Sequence, residues 1–416
     1  MQLRIGLPHI KNIGLKSRLE ADIELPNGEV KTLYYEVESQ YEKYLCTDRS
    51  DAFLISLLQY AMFYGYNITW DCPVTERLFY QLNTMYIPVL AQVANDQFHS
   101  IKMEGALVNT DIEKSTHCVA TGASGGIDSF YTVMRHLTDV EESYRLTHLF
   151  YVAISNNVTS LGNLRKEFEN GYKFIDKIAK ELKLPIVTLF SNEAEFYYNG
   201  IVNGGALRYA GMVYALEKLF SIYYLSSGFS FADMKIKKGD SHYYDLFNLF
   251  CVSTKSIQFY STGGEKGRHE KTSYIENFNV VKKYLHVCNF DDVHNCSICD
   301  KCFRTMLALY ADGVLEDFQD VFDLEKFHKY KIKYMARMVY RKSVYDNEII
   351  KKFKVNNKEI PVRAKIKGIA IRPIYLMWQK LQKNKFFMKL FYKTKLDYVL
   401  YSKEMADSIR YCNDIK

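Results

Sequence analysis

Hydrophobic and polar residues alternate along 19–25 and 31–38 on either side of Pro26-Asn27-Gly28, and a period of two interrupted by that turn predicts a β-hairpin. Asp51 then precedes AFLISLLQYAMFYGY, whose apolar spacing and leading acidic residue predict a capped, mostly buried helix. Pro73-Val74-Thr75 opens a further predicted helix, ERLFYQLNTMYIPVLAQV, interrupted near Pro88. From about residue 116 the pattern changes to short apolar runs between amphipathic stretches. Strands are predicted at 117–121, 146–155, 186–190 and 221–226, with helices at 129–136, 163–182 and 205–220. That alternation marks an α/β layer with a doubly wound parallel sheet, which binds ligands at the carboxyl ends of its strands. A short helix is predicted over 305–310, and no internal repeat is present.

The resulting organisation is an N-terminal α+β unit over 1–112, an α/β domain over 113–275, a cysteine-bearing segment over 276–325 and a basic helical tail over 326–416. A length of 416 residues agrees with two or three structural units. The share of aromatic residues, 15%, assigns large rings to the core first and to binding surfaces second. The N-terminal MQLRIGLPHIKNIG lacks the apolar run of a secretory signal, and no stretch reaches the roughly 18 apolar residues of a membrane span, so a cytoplasmic protein is expected. The net charge of +7 conceals an asymmetry: residues 326–416 carry 24 Lys+Arg against 7 Asp+Glu, leaving 31 against 41 for residues 1–325.

Between a predicted strand and a predicted helix lies Gly122-Ala123-Ser124-Gly125-Gly126-Ile127-Asp128-Ser129. Glycines let the backbone approach an anion closely, the helix start offers unpaired amides, and two serines add hydroxyl donors, a combination suited to phosphate. The turn is neither a Walker loop nor a dinucleotide fingerprint. It does satisfy the nucleophile-elbow pattern G-x-S-x-G with Ser124 at the centre, but that reading leaves Asp128-Ser129 unexplained and lacks an evident acid and histidine downstream.

Of nine cysteines, four crowd into fifteen residues: Cys288, Cys296, Cys299 and Cys302. Such a set in a reducing compartment reads as metal ligands rather than disulfides. Four thiolates with two-residue spacings suit a structural Zn2+ site, and the Cys-Pro continuation of the usual iron–sulfur motif is missing. His286 or His294 is a substitute ligand for Cys288, and the scattered cysteines read as buried thiols.

Ser124-Gly125-Gly126-Ile127-Asp128-Ser129 resembles the SGGxDS signature of the PP-loop ATP pyrophosphatases (the adenine nucleotide α-hydrolase-like superfamily) at every specified position. NCSICDKCFRTM, preceded by LHVC, resembles the zinc segment of 7-cyano-7-deazaguanine synthases and of related proteins found with surface-polysaccharide genes. The intervening His242-Tyr243-Tyr244-Asp245 and Gly267-Arg268-His269-Glu270-Lys271 resemble the polysaccharide-associated group, so the likeness spans about residues 50–312. It implies a HUP/Rossmann-like sheet in the domain 113–275, with ATP, Mg2+ and Zn2+ as cofactors. By that resemblance Ser124, Gly125, Gly126, Asp128 and Ser129 hold the pyrophosphate of ATP, Asp128 orients it and its magnesium, and the four cysteines hold a structural zinc.

On that reading Ser155, Asn156 and Ser227 stand at strand ends where a nucleotide would lie, and Arg268, Lys271 and Lys266 are candidate contacts for phosphate or substrate oxygens. His242 and Asp245 are candidate substrate binders, and Arg304 either reaches the site or pairs with Asp300. The expected reaction is AMP- and pyrophosphate-forming activation of a carboxylate or amide oxygen on a small-molecule or sugar acceptor, followed by attack of a nitrogen nucleophile. Residue 2 is Gln, so the N-terminal cysteine of glutamine-dependent amidotransferases is missing, and nitrogen would come from free ammonia or an ammonia-supplying partner.

Two alternatives remain at this level. One is a transfer-RNA sulfur-transfer enzyme with Cys118 or Cys251 as the sulfur carrier, and the other is a zinc-stabilised nucleotide-binding module without turnover. The tail over 372–401 interleaves basic residues with Trp378, Phe386, Phe387, Phe391 and Tyr392, which suits contact with an anionic membrane, RNA as a weaker fit, or a docked helical appendage.

Overall fold

The computed structural model describes the chain apart from residues 115, 155–159, 198–204, 238, 289, 292–293, 402–405 and 407–416, and the side chains of Lys385, Phe386 and Lys389. The described residues form two compact units: residues 1–124 with 132–265, and residues 125–131 with 266–416.

The first unit holds an eleven-stranded α/β sheet: β1 (Gln2–Ile5), β2 (His9–Ile13), β3 (Lys16–Glu24), β4 (Val30–Glu38), β5 (Asn67–Thr75), β6 (Met103–Val108), β7 (Cys118–Gly122), β8 (His148–Val152), β9 (Ile186–Ser191), β10 (Phe220–Ser226) and β11 (Gln258–Thr262). Their order is β11-β10-β7-β8-β9-β4-β3-β1-β5-β6, with β2 on β3. Pairings among β7 to β11 are all parallel, and numbered within that group the strands run 5-4-1-2-3, a doubly wound order that reverses beside β7.

The predicted hairpin forms as β3 and β4, closing at Glu24 opposite Val30 with Gly28 at φ +83°. Leu19, Ala21 and Ile23 of β3 are buried at alternate positions, as a strand with one core face requires. Strands from residues 1–112 enter the same sheet as β7 to β11 through β4 and β9, where Tyr35 lies opposite Ser191 in an antiparallel pairing. The helix predicted over ERLFYQLNTMYIPVLAQV forms from Glu76 to Val93, but Pro73-Val74-Thr75 are not its opening turn. These residues end β5, at a register shift between Trp70 and Val74 where a missing N–H is tolerated, and the helix begins at Glu76. Its irregularity falls at Leu82–Tyr86, just before Pro88.

Helices in this unit are α1 (Asp51–Tyr64), α2 (Glu76–Gln81), α3 (Ile87–Val93), α5 (Leu161–Leu182), α6 (Ala206–Ala215) and α7 (Asp245–Val252), and α4 (Ile127–Thr138) follows β7. On α5, Leu164, Phe168, Ile175 and Ile178 fall on one buried face, with Ser160 capping the Asn163 N–H at 3.2 Å. Helix α1 is buried almost throughout and packs closely on α6: a Cβ at Gly211 would meet Ser56 Oγ at 2.0 Å.

The second unit is helical: α8 (Arg268–Ile275), α9 (Asn279–Tyr284), α10 (Asp300–Asp312), α11 (Leu324–Arg341), α12 (Val344–Val355), α13 (Val362–Leu381), α14 (Lys385–Lys393) and α15 (Asp397–Leu400). Phe303 of α10 stacks on Tyr334 of α11 at 3.5 Å between centroids. Asp300 accepts from Arg337 and, at 3.0 Å, from Arg341, which ties the start of α10 to the tail. Trp378, Phe387, Phe391 and Tyr392 pack with Tyr340, Ile371 and Leu400, so these tail aromatics serve a small core rather than an outer surface. No helix of the described residues is long and apolar enough to cross a membrane.

Candidate functional site

Helix α4 begins where the glycine turn ends. Gly125 has φ +72°, the left-handed region that favours glycine, and the Phe130 N–H returns to the Gly126 carbonyl at 2.9 Å to set the first helical turn. Asp128 and Ser129 therefore lie in the first turn of α4, with Ser129 buried. Ser155 and Asn156 lie outside the described residues. Ser227 belongs to the first unit, where its N–H bonds the Thr262 carbonyl and its hydroxyl donates to Phe229 O.

Two cations converge on Asp128. Arg268 Nη1 donates to Oδ2 at 2.8 Å and Lys271 Nζ donates to Oδ1 at 2.9 Å. Both come from α8, three residues apart and so on one face, and the helix start is fixed by Glu270 accepting from the Gly267 N–H at 2.9 Å. Lys271 is only 2% exposed, so its ammonium depends on the carboxylate it touches. Burial works to raise the Asp128 carboxyl, but the Arg268 and Lys271 charges outweigh it and hold the group below its usual range. Lys266 instead faces Glu270 at 3.8 Å on the surface.

Helix α10 adds two more cations. Arg304 does not pair with Asp300, which Arg337 and Arg341 occupy; its guanidinium lies 4.0 Å from the centroid of Tyr345 on α12. Burial, followed by repulsion from Arg268, lowers Arg304 to about 10, and the same two causes lower Lys301. The Nε atoms of Arg268 and Arg304 are both buried without a hydrogen-bond partner. Beside them a cavity of about 10 Å³, lined in part by Thr305, Tyr345 and Glu348, has room for roughly a single water. Arg268, Lys271, Lys301 and Arg304 thus surround a helix start with positive charge, with Asp128 as the acid they face, a field that draws in anions. Sequence reasoning missed Lys301, Tyr345 and Glu348. Lys301 and Tyr345 lack a local pattern, whereas Glu348 is marked only by its ion pair with His269 at 3.3 Å.

The Sγ atoms of Cys288, Cys296, Cys299 and Cys302 all lie within 4.8 Å of one another, and His286 and His294 are not in the group. A tetrahedral ion at about 2.3 Å from each sulfur needs sulfurs about 3.8 Å apart, so the set fits a metal such as zinc. Cys296 and Cys302 are already 3.9 Å apart. Hydrogen bonding to Cys299 and further burial push the Cys296 thiol up to about 12, so this packing favours four thiolates only around a cation. Backbone N–H groups of residues 290, 299 and 302 point at sulfurs of Cys288, Cys296 and Cys299. Ser297, at φ +59°, turns the chain between ligands. Asn295, unremarked in the sequence, clamps the knuckle: its Oδ1 accepts from the Val287 N–H at 2.8 Å, and its Nδ2 donates to the Leu285 and Val321 carbonyls.

His242 and Asp245 bond each other at 3.0 Å in the first unit, and that bond pushes the imidazole up. Cys118 and Cys251 are buried, and burial raises each thiol to about 12. No family model, curated protein or solved structure matches the chain.

Proposed function

We propose that the chain is a PP-loop ATP pyrophosphatase that binds the pyrophosphate end of ATP on the glycine turn and transfers AMP to an acceptor oxygen. The observation that carries this reading is the convergence of Arg268 and Lys271 on Asp128 in the first turn of α4. The doubly wound order with the turn after its first strand supports the HUP-like assignment. Backbone amides of the turn and the hydroxyls of Ser124 and Ser129 take the β and γ phosphates. Arg268, Lys271 and Arg304 neutralise charge that builds as the acceptor oxygen attacks the α phosphorus and the bond to the β-phosphate oxygen breaks. Asp128 accepts from Arg268 on one oxygen and from Lys271 on the other, which holds these cations in place, and its remaining lone pairs could also serve a magnesium ion that arrives with the nucleotide.

Cys288, Cys296, Cys299 and Cys302 would hold a structural metal such as zinc, which would supply no reacting group but would brace the start of α10, where Lys301 and Arg304 stand. The acceptor is proposed to be a carboxylate or amide of a small molecule or surface-polysaccharide sugar, and the adenylate then reacts with ammonia or an amine. Sulfur transfer is the weaker reading, because both candidate carrier thiols are buried and protonated. The test is to incubate the metal-loaded protein with magnesium and ATP labelled at the α phosphate and to follow AMP and pyrophosphate with carboxylate acceptors. AMP formation that Lys271→Met abolishes is expected. Absence of both nucleotide binding and AMP formation would overturn the proposal.

A further inference from the structure

Helix α13 has two apolar faces, and only one of them is used. Ala364, Gly368 and Ile371 are buried, and at Gly368 a Cβ would meet the Ala336 carbonyl of α11 at 2.7 Å, so this face is packed as closely as backbone allows. On the opposite face Val362, Ile366, Ile369, Leu376 and Met377 are 39% to 67% exposed. Their spacings of four and three residues, continued by exposed Pro373, place them in one stripe along the helix. Monomeric proteins seldom leave such a contiguous stripe bare.

The charges beside the stripe indicate what covers it. At 100° per residue, Arg363 and Lys367 fall on one flank and Lys365 and Arg372 on the other, all of them exposed, while Lys380 ends the stripe in the last turn of the helix. From residue 360 to residue 396 the chain holds 10 Lys+Arg and no Asp or Glu. A protein partner or a second copy of this chain would have to bury the stripe while offering acids to both flanks, and the second copy has none on this surface. RNA would meet the cations but has no use for the aliphatic residues between them, and Trp378, Phe387, Phe391 and Tyr392, which could stack on bases, pack into the small core. An apolar stripe edged by cations on both sides is the arrangement of a helix lying in the headgroup region of an anionic bilayer. The five cations within α13 itself keep it from crossing one.

We propose that the outer face of α13 docks this protein on an anionic membrane surface, with Ile366 and Ile369 entering the acyl boundary and Lys365, Lys367 and Arg372 meeting lipid phosphates. The inference is independent of the reaction proposed for the glycine turn. It is tested by sedimentation of the full metal-loaded chain with vesicles of phosphatidylcholine alone and of phosphatidylcholine with about a third phosphatidylglycerol. The expected result is binding to the anionic vesicles at least tenfold tighter than to neutral ones. Ile366→Glu with Ile369→Glu should reduce that binding at least tenfold, while metal content and the far-ultraviolet spectrum stay unchanged because both side chains point outward. Lys365→Gln with Arg372→Gln should weaken it and flatten its salt dependence. Equal binding to neutral vesicles, no binding at all, or a dimer in light scattering that the double isoleucine variant abolishes would each overturn the proposal. So would RNA binding that persists in that variant while vesicle binding is missing.

Discussion

The backbone N–H of His286 donates to the carbonyl of Gly125 at 2.8 Å, which bonds the glycine turn to the chain two residues before the cysteine ligand Cys288. The other end of the cysteine set is the start of α10, where Cys299 caps the Cys302 N–H and the next turn carries Arg304. One knuckle of chain therefore bears on both the turn and the Arg304 guanidinium, and a metal held by the four cysteines would keep that knuckle closed.

Removing the metal should accordingly disturb anion binding as well as stability. The purified chain is expected to carry about one zinc, and a chelator or Cys296→Ser should lower the midpoint of thermal unfolding by about 5 °C or more. Titration calorimetry with magnesium–ATP should then show weakened uptake that zinc restores. An unchanged midpoint in the metal-free protein would exclude a structural role for the four cysteines.

Asp128→Asn removes the carboxylate charge that the Lys271 ammonium, 2% exposed, meets at 2.9 Å. The expected loss is about 3 kcal/mol in urea unfolding, larger than for Lys271→Met, which removes the cation and leaves Asp128 with Arg268. A double-mutant cycle should recover a coupling of roughly 1–3 kcal/mol, and additive effects would mean that the pair does not form in solution.

The place of the glycine turn between a strand and a helix and the gathering of the four cysteines were legible because each is a local pattern of residue types, and the alternation of strands and helices over 116–226 was legible from period alone. What escaped depends on distant partners. Arg337 and Arg341 occupy Asp300, which frees Arg304 for Tyr345, and four residues from three different segments decide that exchange. The joining of β4 to β9 pairs residues some 150 apart with no local sign of register. Pro73 misled because a proline that opens a helix and one that sits at a strand irregularity look alike in sequence.

Glu217 in the first unit gives a prediction on the alkaline side. It is fully buried beside Asp51 and Arg49, and its Oε1 has no hydrogen-bond partner; burial, followed by repulsion from Asp51, raises its carboxyl. A carboxyl that holds its proton more tightly when folded contributes most at low pH, and that stability is lost as pH rises from the ordinary carboxylate range through the raised value. Glu217→Gln cannot ionise, so it should gain on the parent by roughly 1.4 kcal/mol per pH unit across that window. Parallel stability curves between mildly acidic and mildly alkaline pH would show that Glu217 titrates normally. Asp128 has the opposite sign. Its depressed carboxyl contributes stability above the ordinary range that is lost only as pH falls below it, so its variants should show no such slope near neutrality.

Gly125 and Gly14 separate backbone strain from function. Both have left-handed backbones, at φ +72° and +61°, and Gly14 has nothing within 4 Å of where a Cβ would stand. Alanine at either position should cost about 1–2 kcal/mol through the same backbone penalty. At Gly14, in a surface turn between β2 and β3, the cost should end there. At Gly125 the same strain falls on the peptide whose carbonyl accepts from His286, at the helix start where the proposed phosphate would sit. Gly125→Ala should therefore lose magnesium–ATP binding at least tenfold while Gly14→Ala, equally destabilised, keeps it. Equal binding by the two variants would show that the turn is a cap for α4 and nothing more.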